Sequence, residues 1–166
     1  MLTKKSVILM IMALLLNACG YHLRGAFELP TGLKSIYLDG GSAQLQEQFK
    51  KAMELSSVPL ASSADKAGIV IRISDEVSQR RVLSLASSGA ANDFELDYRL
   101  NYEISDAKEN VLLAQQPVEI RREYYNDQTA VIAKEAEELL IRNEMYLQAV
   151  RTMISRAKVA FETSSK

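Results

Sequence analysis

The sequence predicts an α+β protein, a two-layer sandwich of about four mainly antiparallel strands with two helices packed on one face of the sheet. Three observations carry this expectation. Phe94, Leu96, Tyr98, Leu100, Tyr102 and Ile104 form an unbroken period-two stripe, opposed by Asp93, Glu95, Asp97, Arg99, Asn101 and Glu103. Such alternation describes an antiparallel strand with one buried and one wet face. Near the end of the chain Ala133, Ala136, Leu140, Leu147, Val150, Ile154, Ala157 and Phe161 recur by threes and fours, with one skip near Asn143, as a long amphipathic helix requires. Finally, the segments run strand, helix, three strands, helix, an order that suits helices gathered on one side of a single sheet.

The first element is not part of that domain. Two lysines in "MLTKK" precede the uncharged run "VILMIMALLL", the layout of a secretory signal with about 7–15 apolar residues. The run is too short for the ~20 residues of a membrane-spanning helix. It ends at Leu16-Asn17-Ala18-Cys19, which resembles a bacterial lipobox and holds the only cysteine in the chain. Residues 1–18 are therefore expected to be a lipoprotein signal peptide and Cys19 the lipidated first residue of the mature chain. One acyl chain holds a protein only marginally, whereas a diacylglycerol with an N-acyl chain on Cys19 gives stable attachment. The next residue is Gly20 rather than an inner-membrane-retaining aspartate, so the outer membrane is the expected destination. Residues 19–33 then read as a tether, 34–161 as one domain and 162–166 as a short polar tail.

Within the domain, "KSIYL" reads as a strand closed by the turn Asp39-Gly40-Gly41. Leu45, Phe49, Ala52 and Met53 have helical spacing over residues 42–55, with Ser42 placed to cap the start. After a loop, Ile69, Ile71 and Ile73 begin a strand that runs toward Leu83. The stripe centred on Tyr98 is the next strand, "SDAKEN" is a turn, and residues 111–124 form the last strand. Pro117 there removes a ladder donor and marks an edge or a bulge. The final helix is expected over 127–161, with Asp127 capping it and Glu138 four residues before Arg142 as a favourable surface pair.

Composition narrows function by exclusion. A net charge of −1 gives no nucleic-acid footprint. One cysteine and one histidine leave neither a disulfide framework nor a His-rich metal site. No Gly-x-Ser-x-Gly nucleophile motif or phosphate-cradling glycine loop is present. An enzyme is not expected, and no cofactor beyond the lipid.

Two stretches carry a family resemblance. "CGYHLRG" is similar to the start of mature lipopolysaccharide-assembly lipoproteins of the LptE (RlpB) family, and "RREYYNDQTAVIAKEAEELLIRNEMYLQAVRTMISR" resembles that family's last strand and long helix. The resemblance implies a plug inside the lumen of the LptD outer-membrane β-barrel, in a 1:1 complex. It also implies help in assembling that barrel and in inserting lipopolysaccharide (LPS) at the cell surface, without covalent chemistry. A polar sheet face suits a polar barrel lumen. Lys134, beside an expected buried Ala133, Arg121 and Arg122 are the candidate LPS contacts, through phosphate. The two arginines adjoin on a strand and point to opposite faces, so one is expected to pair with sheet acids. Tyr124, Tyr125 and Asn126 are the candidate barrel contacts, one tyrosine being expected in the core. Tyr21, Leu23 and Arg24 follow the anchor along the bilayer or the barrel wall. The loop 86–93 carries no base, which argues against an LPS contact there. The alternative is a lipid-anchored periplasmic module that binds another envelope ligand or protein without entering a barrel.

Overall fold

A computed structural model describes residues 30–164 apart from positions 31, 55, 57, 58 and 128. The expected signal peptide 1–18, Cys19, Tyr21, Leu23 and Arg24 lie outside the described residues. The elements run β1 (Ile36–Asp39), α1 (Ala43–Glu54), a short 3-10 turn (Ala64–Lys66), β2 (Ile69–Leu85), β3 (Ala91–Ser105), β4 (Val111–Tyr125) and α2 (Val131–Ser164). They form one four-stranded sheet in the order β1-β2-β3-β4. β1 is parallel to β2, as its return through α1 requires, and the other pairs are antiparallel. This is the expected α+β sandwich. β4 is an edge strand, which accommodates Pro117.

The even-numbered stripe of β3 is buried as its alternation demands: Leu96, Tyr98, Leu100, Tyr102 and Ile104 are all at most 2% exposed. They meet Leu45, Phe49 and Met53 of α1 and Met145, Ala149, Val150, Met153, Ile154 and Ala157 of α2 in one apolar cluster. Tyr98 and Tyr146 contact edge to face, with ring centroids 4.8 Å apart, a preferred aromatic geometry.

A β-bulge reorganises β2. Between the pairs Ser74↔Asn101 and Val77↔Arg99, two β2 residues oppose one of β3, and Asp75 takes a positive φ of 52°. The period-two pattern therefore changes phase. Before the bulge Ile71 and Ile73 face the helices; after it Ser78, Arg80 and Val82 do so, as their partners Tyr98, Leu96 and Phe94 show. The bulge also turns Glu76 toward the start of α1. Its Oε1 accepts hydrogen bonds from Ser42 Oγ (2.7 Å) and Tyr98 Oη (2.8 Å), and its Oε2 accepts from Ser42 N. Ser42 caps α1 as expected, accepting from Leu45 N at 3.3 Å. Gly40 and Gly41 both have φ near 80°; at Gly41 a Cβ would lie 2.9 Å from a Leu45 methyl, so the turn into α1 requires glycine.

The last helix departs from expectation in three ways. It begins at Val131 rather than Asp127, because Asp127 organises a preceding turn: its carboxylate accepts from Thr129 N (2.9 Å) and Thr129 Oγ1 (2.7 Å). It continues to Ser164, past the expected end at 161. Ala133, Ala136 and Leu140 are exposed, so the buried stripe starts only at Met145. The cause lies in the unequal helix lengths. α1 has 12 residues and α2 has 34, about 18 Å against 51 Å, and α1 does not reach the first third of α2.

Candidate functional site

Of the residues singled out in the sequence, Tyr124, Tyr125, Asn126 and Lys134 lie at the end of the molecule away from β1. There the β2–β3 turn, the end of β4 and the start of α2 meet. Asn126 ties them together: its N donates to Asn92 O (2.8 Å) and its Nδ2 to Ala91 O (2.9 Å). Tyr124 is 7% exposed and lies on the helix side, whereas Tyr125 is 55% exposed and lies on the opposite side of the strand. The two arginines divide in the same way. Arg121 is on the open face, with Nε 3.6 Å from Asp97 Oδ1. Arg122 is on the helix side and donates to Gln148 Oε1 at 2.5 Å. Arg121 is thus apart from Lys134, while Tyr125 is close to it. Lys134 Nζ sits 5.8 Å from the Tyr125 ring centroid and donates to Glu137 Oε2 at 2.7 Å, with its side chain 19% exposed. Ala133, beside it, is exposed rather than buried.

Beneath Lys134 lies a charged network of which the sequence shows only one edge. Glu138 does pair with Arg142, at 2.7–2.8 Å, but it is no surface pair. Glu138 Oε2 also accepts from Arg80 Nη1 of β2 (2.9 Å) and from Tyr124 Oη of β4 (2.5 Å). Arg142 Nη1 in turn donates to Ser78 Oγ at 2.8 Å. Burial alone would raise the Glu138 carboxyl, but hydrogen bonds from Tyr124, Arg142 and Arg80 outweigh it and hold the group below its usual value. Burial, followed by the bond to Glu138, pushes the Tyr124 phenol up. The Arg80 guanidinium stacks 4.7 Å over Phe94, whose ring is 5.6 Å from that of Tyr124. Polar bonds from one carboxylate therefore hold the first part of α2 to the sheet where apolar packing has run out. The change of phase at the bulge put Arg80 on the helix side, and no local spacing signals that.

The open face is a cross-strand mosaic of charge. Registered rows read Val77, Arg99, Glu119; Gln79, Asp97, Arg121; and Arg81, Glu95, Glu123. Glu95 is only 6% exposed and is covered by Arg81 Nη2 at 2.5 Å. Opposite charges in such rows offset one another. Glu95 and Glu123, however, adjoin as like charges, so the face is hydrophilic and of mixed charge with an excess of acid. Among the described residues no group of three or more His, Cys, Asp or Glu side chains is placed to hold a metal ion, and no helix is long and apolar enough to cross a membrane.

Comparison with known proteins decides the family. Residues 33–157 match the LptE family model, described as lipopolysaccharide-assembly. The chain belongs to the LptE family. The match spans every strand and most of α2, including the network around Glu138. Among LptE-family relatives, the LPS-assembly lipoprotein LptE of Pectobacterium atrosepticum is 23% identical over 154 residues, covering 91% of this chain and 83% of that one. The LPS-assembly lipoprotein LptE of Photorhabdus laumondii is 24% identical over 146 residues, covering 86% and 79%. The solution structure of an uncharacterized lipoprotein B from Nitrosomonas europaea superposes with a TM-score of 0.67 at 27% identity, covering 87% of this chain and 93% of that one. The crystal structure of the rare lipoprotein B from Shewanella oneidensis gives 0.62 at 23% identity, covering 79% and 98%, and shares the fold. The expected LptE resemblance is thereby established over the body of the chain; Cys19 precedes the matched span.

Proposed function

We propose that this LptE-family chain is a non-enzymatic outer-membrane lipoprotein that plugs the LptD β-barrel, helps assemble it, and assists LPS transport to the cell surface. Anchorage is by diacylglycerol and an N-acyl chain on Cys19. The observation that carries the reading, beside family membership, is the hydrophilic, mixed-charge open sheet face. A body seated in a water-filled barrel lumen needs such a surface, and a closed barrel offers it side chains and loops rather than a strand edge. Tyr125, exposed beside the polar turn at Asn126, is the candidate aromatic anchor on the barrel. The Pectobacterium and Photorhabdus relatives are LPS-assembly lipoproteins, which supports an envelope role for this chain.

Direct LPS contact is assigned to Lys134. Its ammonium is a compact charge held at the rim by Glu137 and Tyr125, and an LPS phosphate would take over the place of the Glu137 carboxylate. Arg122 shares the helix side with the network, whereas Arg121 is held among the acids of the open face and is assigned to the barrel. Lys134→Glu should cut LPS capture by the purified chain roughly tenfold, the scale of one charged hydrogen bond, with an unchanged thermal midpoint. Capture equal to the unsubstituted chain would remove Lys134 from the site. For the anchor, Cys19→Ala in cells lacking the barrel should move the chain out of the membrane fraction; full retention there would exclude lipidation as the attachment.

A further inference from the structure

The start of β4 and the end of α2 border a groove of about 560 Å³, within the ~300–1,000 Å³ of ligand sites. Its β4 side is Leu112 and Leu113, which pack on the margin of the core. Its helix side is Ala160 and Val159, the latter 59% exposed. Arg156 stands one turn earlier on the same wall. Its Nη1 donates to Tyr102 Oη (3.1 Å) and to the Pro117 carbonyl (3.4 Å), both neutral acceptors. Arg72, Arg80, Arg81, Arg99, Arg121 and Arg142 each have a carboxylate within 3.6 Å. Among the described residues Arg156 has none. Neutral groups thus fix its guanidinium through one nitrogen, and its charge and remaining N–H donors are left for a ligand.

Apolar walls beside an arginine with no acid of its own select a molecule that is apolar along its length and anionic at one end. A planar guanidinium held in place matches phosphate or carboxylate oxygens. A peptide suits the groove less well. Between the pairs Tyr102↔Gln116, Ile104↔Leu113 and Ser105↔Val111, β4 carries an extra residue at each step, so its start is twice bulged and a poor template for an added strand. Pro117 beyond it has no N–H to offer. An acyl chain needs no backbone partner. We propose that this groove binds an anionic lipid, with one acyl chain on Leu112, Leu113, Val159 and Ala160 and the phosphate on Arg156. Lys134 lies about 33 Å earlier along α2, so the groove is a second site, separate from the one assigned to that lysine.

The test titrates the full chain, kept in a neutral steroid detergent that has no alkyl chain, and reads the methyl resonances of Leu112, Leu113 and Val159. Dodecyl phosphate should shift them saturably and bind at least tenfold more tightly than dodecyl maltoside, the scale of one charged hydrogen bond. Inorganic phosphate should leave them unshifted. Arg156→Gln should abolish the preference for the phosphate. Val159→Glu, at an exposed position, sets a carboxylate three residues from Arg156 and should weaken dodecyl phosphate about tenfold with the core methyls unmoved. Equal binding of the two dodecyl compounds, no saturable shift, or undiminished binding by Val159→Glu overturns the proposal. Inorganic phosphate binding as tightly as dodecyl phosphate would make this a site for a free anion. Tighter binding of a tetraleucine peptide with a free carboxylate would assign it to a protein terminus, and shifts that grow with protein concentration alone to a second copy. Each of these also overturns it. The test needs neither the barrel nor Lys134, so its failure would leave the proposed function standing.

Discussion

Glu76→Ala is expected to lower stability by about 3 kcal/mol, since hydrogen bonds to a charged group contribute ~1.5–3 kcal/mol and a donor left buried without a partner costs a similar amount. Three donors lose their acceptor together: Ser42 N, Ser42 Oγ and the Tyr98 hydroxyl. Tyr98 is only 1% exposed, so water does not readily replace the carboxylate. The loss should reach the fold through α1, whose first turn is bound to the bulge by this one side chain. For a chain of this size the thermal midpoint should fall by roughly 6–12 °C, read by circular dichroism. Glu76→Gln keeps an acceptor oxygen and should fall by less than half as much. Equal midpoints for the alanine variant and the unsubstituted chain would show that the bulge does not hold α1 through Glu76.

Glu138→Gln is expected to cost about 2 kcal/mol at neutral pH, with a gap that closes in acid. The carboxyl is held below its ordinary value in the folded chain. Its contribution is therefore complete above the unfolded value and lost as pH falls through the folded one, below about pH 4.5. Urea unfolding at pH 7 and pH 3 compares the gap above the unfolded value with the gap well below it. The network joins α2 to β2 and β4 through Arg80 and Tyr124, so exchange of the amides from Val131 onward should quicken in the variant while those around Met153 stay slow. A gap that is the same at both pH values would contradict a role for the Glu138 charge.

Period-two and helical spacing made the sheet and both helices legible, because each rests on one buried face read directly from side-chain chemistry. Tyr98 and its stripe fell where alternation placed them. Ala133, Ala136 and Leu140 did not, because burial depends on a second body. α1 ends too soon to cover them, and no local pattern in α2 records the length of a neighbour. Asp127 has the chemistry of a helix cap and equally that of a turn; the turn won because Thr129 follows it at the right offset. At the site, Lys134, Tyr124 and Tyr125 were legible as residue types at a strand end and helix start. Arg80 and Glu76 were not, since both acquire their partners from the phase change at the bulge. The acids Asp75 and Glu76, which end the alternation of Ile69, Ile71 and Ile73, were the one available sign.

The central claim is seating in a barrel, and copurification tests it most directly. Tagged full-length chain would be purified from detergent-solubilised outer membranes and its companions identified and counted by mass spectrometry. The expected result is one large β-barrel, LptD, per chain, surviving detergent. Abundant chain with no barrel partner would contradict the plug and leave the lipid-anchored periplasmic module in its place.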